Sequence, residues 1–158
     1  MKIKIGNYPT YRFYHRWLGR FAPKQKVSVK IDPWDTWSMD HTLACIVLPM
    51  LKQFKEIKKS SHQVDLKDVP ESLHQSDNEL EDDGVHEQWD YIIDEMIWAF
   101  EQKCRDDWES DYYKYEDDTS KPFVYKLVWK DEKGKKAHQD RMTNGFRLFG
   151  KYYENLWD

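Results

Sequence analysis

Arg12, Arg16 and Arg20 recur every fourth residue, with Tyr11, Tyr14, His15 and Trp17 interleaved among them. On a helix the three guanidinium groups form one ridge. An arginine fork grips phosphate through two parallel hydrogen bonds, and an aromatic face stacks on a base. The pattern points to capture of a phosphate-bearing small molecule. Arg12, Arg16, Arg20 and Lys26 would hold the phosphate, while Tyr11, Tyr14, Trp17, Trp34 or Trp37 stack on the base. Charge supports the division of labour: residues 1–31 carry eight basic side chains and no acid, whereas residues 65–118 carry 20 acids against four bases. The net charge of −4 therefore hides two opposed stretches. The competing explanation is that the basic ridge docks on the acidic half of the same chain.

The acidic stretch holds a second set of candidates. In EQWDYIIDEMIWAFEQ, residues 87–102, Glu87, Asp94 and Glu101 fall on one line of a helix, and Asp90 lies one turn from Asp94. Carboxylate oxygens so placed can share Mg²⁺ or Mn²⁺. A metal-dependent nucleotide phosphohydrolase using Asp40, His41, Asp90, Asp94 and Glu101 is the enzymatic alternative. Helical nucleotide pyrophosphohydrolases use comparable carboxylate pairs on facing helices, but no matching second motif occurs at the required spacing. The plainer expectation is a solvated acidic face whose acids orient arginines, for example an Asp94–arginine pair, or a partner subunit. Trp98 stands among these acids, off the apolar stripe, which points to a groove or an interface.

A third cluster, DPWDTWSMDH at residues 32–41, gathers two Trp, three Asp and one His at a strand-to-helix junction. Helix starts attract anions through their unsatisfied N–H groups. Here Asp35, Asp40 and His41 can bind a metal or exchange protons, and His41 joins the ligand-binding set. The plainer role is capping, with Trp34 and Trp37 covering the core. No glycine-rich phosphate loop, nucleophile elbow, dinucleotide fingerprint or His-Glu-x-x-His motif is present, so no catalytic residue is assigned.

The elements that must position these groups follow from hydrophobic period. MKIKIGN and QKVSVKID alternate as strands, the second with Val27, Val29 and Ile31 on a half-buried face. A helix is predicted over the Tyr11–Phe21 stretch. From Met39 the period becomes helical, with Leu43, Ile46, Val47, Met50, Phe54 and Ile57 on one stripe, Thr36 or Ser38 as N-cap and Pro49 as a kink. Residues 60–85 read as a flexible acidic loop. The 87–104 helix then buries Trp89, Ile92, Ile93, Met96, Ile97, Phe100 and Cys104. Residues 106–121 read as a Tyr-rich connection, PFVYKLVW as a strand and Glu-Lys-Gly-Lys as a hairpin turn. A last helix carries Met142, Phe146, Phe149, Tyr153 and Leu156, weakened by Gly145 and Gly150. The expected class is α+β: one domain over 1–158, with an antiparallel sheet of three to four strands, two long helices and one or two shorter ones.

Composition narrows the setting. At 16% aromatic the chain is rich in rings that suit either a core or base stacking. No apolar run approaches the ~20 residues of a membrane span, and the N-terminus lacks a signal-peptide pattern, so a cytoplasmic location is expected. Cys45 and Cys104 lie in apolar surroundings outside any C-x-x-C motif and read as two reduced core thiols.

IDPWDTWSMDHTLACIVLPMLKQFK and WDYIIDEMIWAFEQ resemble a family of small tailed-bacteriophage proteins of uncharacterised activity. W-D-x-W-x-M-D-H-T-L-A and D-E-M-I-W-A-F carry the likeness, which spans roughly a quarter of the chain. The resemblance implies expression in the host cytoplasm and the company of accessory proteins that blunt host defences. It assigns no catalytic residue. The combined expectation is a non-catalytic homo-oligomer that sequesters a nucleotide signal to counter host defence, without a cofactor. The alternatives are the Mg²⁺- or Mn²⁺-dependent hydrolase, and an inhibitor of a host defence protein whose segment 65–118 imitates DNA phosphates.

Overall fold

A computed structural model of the chain describes residues 2–5, 27–74, 82–105, 107–117 and 125–157. The elements follow as β1 (Lys2–Ile5), β2 (Val27–Lys30), α1 (Met39–Ile57), α2 (Asp82–Cys104), β3 (Tyr113–Asp117), β4 (Tyr125–Trp129) and α3 (Glu132–Lys151), with short 3-10 turns between them. The class is α+β and mostly helical. Two features of the expected architecture are corrected. Among the described residues the strands form two antiparallel ribbons, β1–β2 and β3–β4, in place of one sheet of three to four strands. Among the described residues three helices are long where two were expected. Contacts gather into two compact units, Met1–Thr42 and Leu43–Asp158.

In the first unit β1 and β2 pair in the register Ile3↔Val29 and Ile5↔Val27. Val27, Val29 and Ile31 are exposed, which corrects the half-buried face expected of this strand. A two-stranded ribbon has no second layer of its own to cover such a face. The carbonyl of Ser38 accepts the first α-helical bond, from Thr42 N–H at 3.0 Å. Ser38 therefore holds the N-cap position of α1, while the Thr36 hydroxyl donates instead to the Pro33 carbonyl at 2.7 Å.

In the second unit α2 supplies the core. Trp89, Ile92, Ile93, Met96 and Phe100 recur at three- and four-residue intervals and are buried, as the sequence predicts; Ala99 is buried beside them, while Ile97 and Cys104 of the predicted stripe are only partly buried. Complete burial of such side chains contributes about 1.5–3 kcal/mol each. α3 runs antiparallel to α2: Trp89 meets Tyr152, Ala99 meets Gly145 and Trp98 meets His138. Phe100 packs edge-on against Phe146 and Phe149 at 5.2 and 5.0 Å. The predicted α3 face holds for Met142, Phe146, Phe149 and Leu156, but Tyr153 is exposed and Leu148 and Tyr152 are buried in its place. The helix ends at Lys151, and the 3-10 turn Tyr153–Asn155 changes the phase.

α3 also begins earlier than expected. Glu-Lys-Gly-Lys is its first turn rather than a hairpin, because the Asp131 carboxylate caps the helix by accepting Gly134 N–H at 2.8 Å. β3, expected as a connection, forms because Tyr113 and Tyr115 stand opposite Trp129 and Leu127. Aromatic cross-strand pairs stabilise such a ribbon across an interval that local sequence cannot show.

From Leu43 onward α1 turns Ala44, Val47, Leu48, Leu51 and Phe54 inward. Leu43, Met50 and Ile57 face outward, correcting the predicted stripe. LACIVLPML is apolar on all sides, so its period does not choose a face. Residues 60–74 carry the 3-10 turns Leu66–Asp68 and Glu71–Leu73 and place Val64 and Val69 in the core.

Candidate functional site

The junction after β2 is built by reciprocal capping. The Asp32 carboxylate accepts Trp34 N–H at 3.0 Å, and the Asp35 carboxylate accepts Asp32 N–H at 2.8 Å. Pro33 presets the backbone of this 3-10 turn. Asp32 and Asp35 thus serve the capping role. Trp34 and Trp37 do not cover a core: they are 78% and 84% exposed, with ring centroids 6.2 Å apart and planes tilted by 37°. Exposed indoles on a capped turn are an apolar surface ready for a planar partner. A few residues on, the Asp40 carboxylate accepts His41 N–H at 2.9 Å. Of the expected ligand set the structure brings together Trp34 and Trp37, with His41 following them in the first turn of α1. Tyr11, Arg12, Tyr14, Arg16, Trp17, Arg20 and Lys26 lie outside the described residues, as does the helix predicted for them.

The carboxylates of α2 meet lysines of α1 and of the residue that follows it. Lys52 bonds Glu101 at 2.6 Å, Lys55 bonds Asp94 at 2.5 Å and Lys58 bonds Asp90 at 2.7 Å. Rising numbers on one helix meet falling numbers on the other, so α1 and α2 are antiparallel. Each acid holds an ammonium group where a shared divalent ion would need open oxygens. Among the described residues no three His, Cys, Asp or Glu side chains gather to hold a metal, and Asp40 and His41 belong to the other unit. The three carboxylate side chains are 40–55% exposed, although that of Lys58 is nearly buried, and pairs with a solvated partner contribute little stability. The expected Asp94–arginine pair is corrected to Asp94–Lys55. The signal was legible in Lys52, Lys55 and Lys58, which recur at three-residue intervals along α1 and the residue that follows it.

The arginine pairing falls one residue later. Glu95, nearly buried, accepts both Nε and Nη2 of Arg141, at 3.0 and 2.6 Å. The guanidinium lies 4.0 Å from the centre of the Trp98 ring, a cation–π contact that explains why Trp98 departs from the apolar stripe. His138 completes the cluster. It stacks on Trp108 at 4.6 Å with planes 13° apart, and Trp98 lies 4.9 Å away. Its Nδ1 shares a hydrogen bond with the Tyr112 hydroxyl at 2.8 Å. Its Nε2 is shielded from solvent without a hydrogen-bond partner among the described residues. Sequence reasoning missed this box because its members come from α2, the 3-10 turn Trp108–Asp111 and α3.

Burial lowers the His138 pKa below the ordinary 6.5, and the positive charges of Arg105 and Arg141 add to the effect against Asp111. The unfolded chain therefore binds the proton more readily than the folded one. This contribution to stability is complete above pH ~6.5 and declines as the pH falls below it. We expect the His138 ring protons to titrate below pH 6.5 by NMR. The wild type should lose stability between pH 7 and 5 more steeply than His138→Gln. Equal slopes would show that the imidazole is not desolvated.

No helix among the described residues is long and apolar enough to cross a membrane. No protein-family model matches the chain, and no curated protein or solved structure matches it either.

Proposed function

We propose that this chain is a non-catalytic binding protein that captures a phosphate-bearing small molecule of the nucleotide class. In keeping with the phage resemblance, we place it in the host cytoplasm as an accessory protein that counters host defence. The exposed Trp34–Trp37 pair on its capped turn carries the proposal, because it offers a base two indole faces at little cost in side-chain ordering. The sequence supplies Arg12, Arg16, Arg20 and Lys26 for the phosphate. Lysine pairing of Asp90, Asp94 and Glu101 weighs against the metal-dependent hydrolase. Among the described residues many acids of the segment are likewise matched within the fold. Arg105 holds Asp107 and Asp111 at 2.8 and 2.9 Å, and Lys135 holds Glu109 at 3.0 Å. That internal pairing weighs against imitation of DNA phosphates.

Stacking on an aromatic ring contributes about 1–3 kcal/mol per base, so Trp34→Ala or Trp37→Ala should weaken nucleotide binding roughly 5- to 150-fold. Tryptophan fluorescence titration across nucleoside mono-, di- and triphosphates and cyclic or linear dinucleotides, with thermal shift alongside, makes the measurement. A full panel without quenching or stabilisation would reject the proposal. So would binding that survives loss of both indoles.

Oligomerisation belongs to the same proposal. Leu43, Met50 and Ile57 are 46–60% exposed and stand seven residues apart on the outer side of α1, the interval at which paired helices meet. Met50→Glu should reduce the mass of the native particle in light scattering while leaving the helical circular dichroism unchanged. A wild type already monomeric at tens of micromolar would remove this part of the reading.

A further inference from the structure

We propose that Cys45 and Cys104 form a thiol–disulfide exchange site that reacts with a small-molecule disulfide, such as oxidised glutathione, and joins α1 covalently to α2. The two cysteines are 59 residues apart in sequence, yet their Sγ atoms lie 3.9 Å apart. A disulfide needs about 2.05 Å between sulfurs. The seam between the helices favours that closure. Cys45 faces Cys104, Lys52 faces Glu101, Lys55 faces Asp94 and Lys58 faces Asp90, all in the same antiparallel order. The thiols thus add a fourth pairing to the same antiparallel seam, and closing the disulfide requires the two sulfurs to approach further. Each of the other rungs is an ion pair with a solvent-exposed carboxylate and is of little strength. A covalent rung therefore changes the hold on α1 more than any of them.

The two sulfurs differ in access, and this divides the chemistry. Cys45 is exposed and Cys104 half-buried. The Cys45 thiolate attacks one sulfur of the small disulfide; its S–S bond breaks, and one thiolate leaves and takes a proton from water. The Cys104 thiolate then attacks Cys45 Sγ and expels the second small thiolate, which is protonated likewise. Two protein thiols have become one disulfide, and the small disulfide has been reduced to two thiols.

The test incubates the purified full chain with oxidised glutathione and follows it by intact mass, non-reducing peptide mapping and thermal unfolding. The expected product has lost two hydrogens, shows one cross-linked peptide pair containing Cys45 and Cys104 and has no cross-link between chains. Its Tm rises by roughly 10 °C, because the cross-link closes a long loop in the unfolded state. Dithiothreitol should reverse every change. Cys104→Ser should stop at a lasting glutathione adduct on Cys45, and Cys45→Ser should react several-fold more slowly. Stable adducts on both wild-type cysteines, cross-links between chains, or an unreactive Cys45 would each overturn the proposal.

Discussion

Gly145→Ala is expected to lose about 2–3 kcal/mol of stability, although alanine is the better helix former by about 1 kcal/mol. Gly145 lies in α3 where it crosses α2. A Cβ added there would sit 2.4 Å from the Ala99 Cβ and 2.6 Å from the Glu95 carbonyl oxygen. Neither neighbour can turn aside: one is the stub of a side chain and the other is backbone. The helices must separate, which loosens contacts around Met96, Ala99 and Leu148, all buried on this interface. Overpacking a close-packed core costs typically 1–3 kcal/mol, and the rigid neighbours place this site at the upper end. Gly150 is the control. A Cβ there meets nothing within 4 Å, so Gly150→Ala should stabilise by about 0.5–1 kcal/mol. Urea unfolding of the two variants measures both effects. Ala99→Gly in the Gly145→Ala background should recover part of the loss, since it removes one of the two clashes. Equal stability of Gly145→Ala and wild type would mean that the helices are not held this close.

Asp68→Asn is expected to cost about 2–3 kcal/mol at neutral pH and much less near pH 2. The Asp68 side chain is only 5% exposed. Its oxygens accept Arg147 at 2.6 Å, Lys151 at 2.5 Å and the Tyr152 hydroxyl at 2.8 Å. The same hydroxyl accepts Asp65 N–H at 2.9 Å, so the network ties the 3-10 turn Leu66–Asp68 to the end of α3. Burial pushes the Asp68 carboxyl upward, but hydrogen bonds from Lys151, Tyr152 and Arg147 outweigh it and bring its pKa down from 3.8 to about 2. The raised pKa of Lys151 is the same interaction seen from the other partner and adds nothing further.

Because the folded carboxyl binds its proton less readily than the unfolded one, its stabilisation is complete above pH ~4 and is lost as the pH falls toward 2. The depression corresponds to about 2 kcal/mol. Removing one partner of a buried pair often costs 3–5 kcal/mol, but Lys151 and Arg147 are partly exposed and can rehydrate, which sets the lower figure. Denaturant unfolding from pH 7 to 2 should show the wild type converging on the variant at the acid end. A constant difference across that range would mean that shape, rather than charge, is what Asp68 contributes.

Features that depend on neighbours along the chain can be read before any folding is known. The buried face of α2 was legible because Trp89, Ile92, Ile93, Met96 and Phe100 repeat at the helical period, and burial follows that period directly. The strand signals of β1, β2 and β4 were legible in the same way, as was Ser38 at the start of α1. The capping role of Asp32 and Asp35 could be read from their positions around Pro33. Tertiary structure decided the rest, because it depends on which surfaces meet. α1 is apolar on all sides over residues 43–51, so only its docking on α2 separated Ala44, Leu48 and Leu51 inside from Leu43 and Met50 outside. The acids of α2 carried metal-ligand spacing in one dimension, and the register of α1 placed three lysines on them. Gly145 looked like a weakness in a helix until the nearness of Ala99 and Glu95 made it the residue that lets two helices touch. Cys45 and Cys104 were two separate thiols in sequence, and the same antiparallel register made them neighbours. Local spacing specifies which groups share a helix face; the packing of that face against another decides what each group can do.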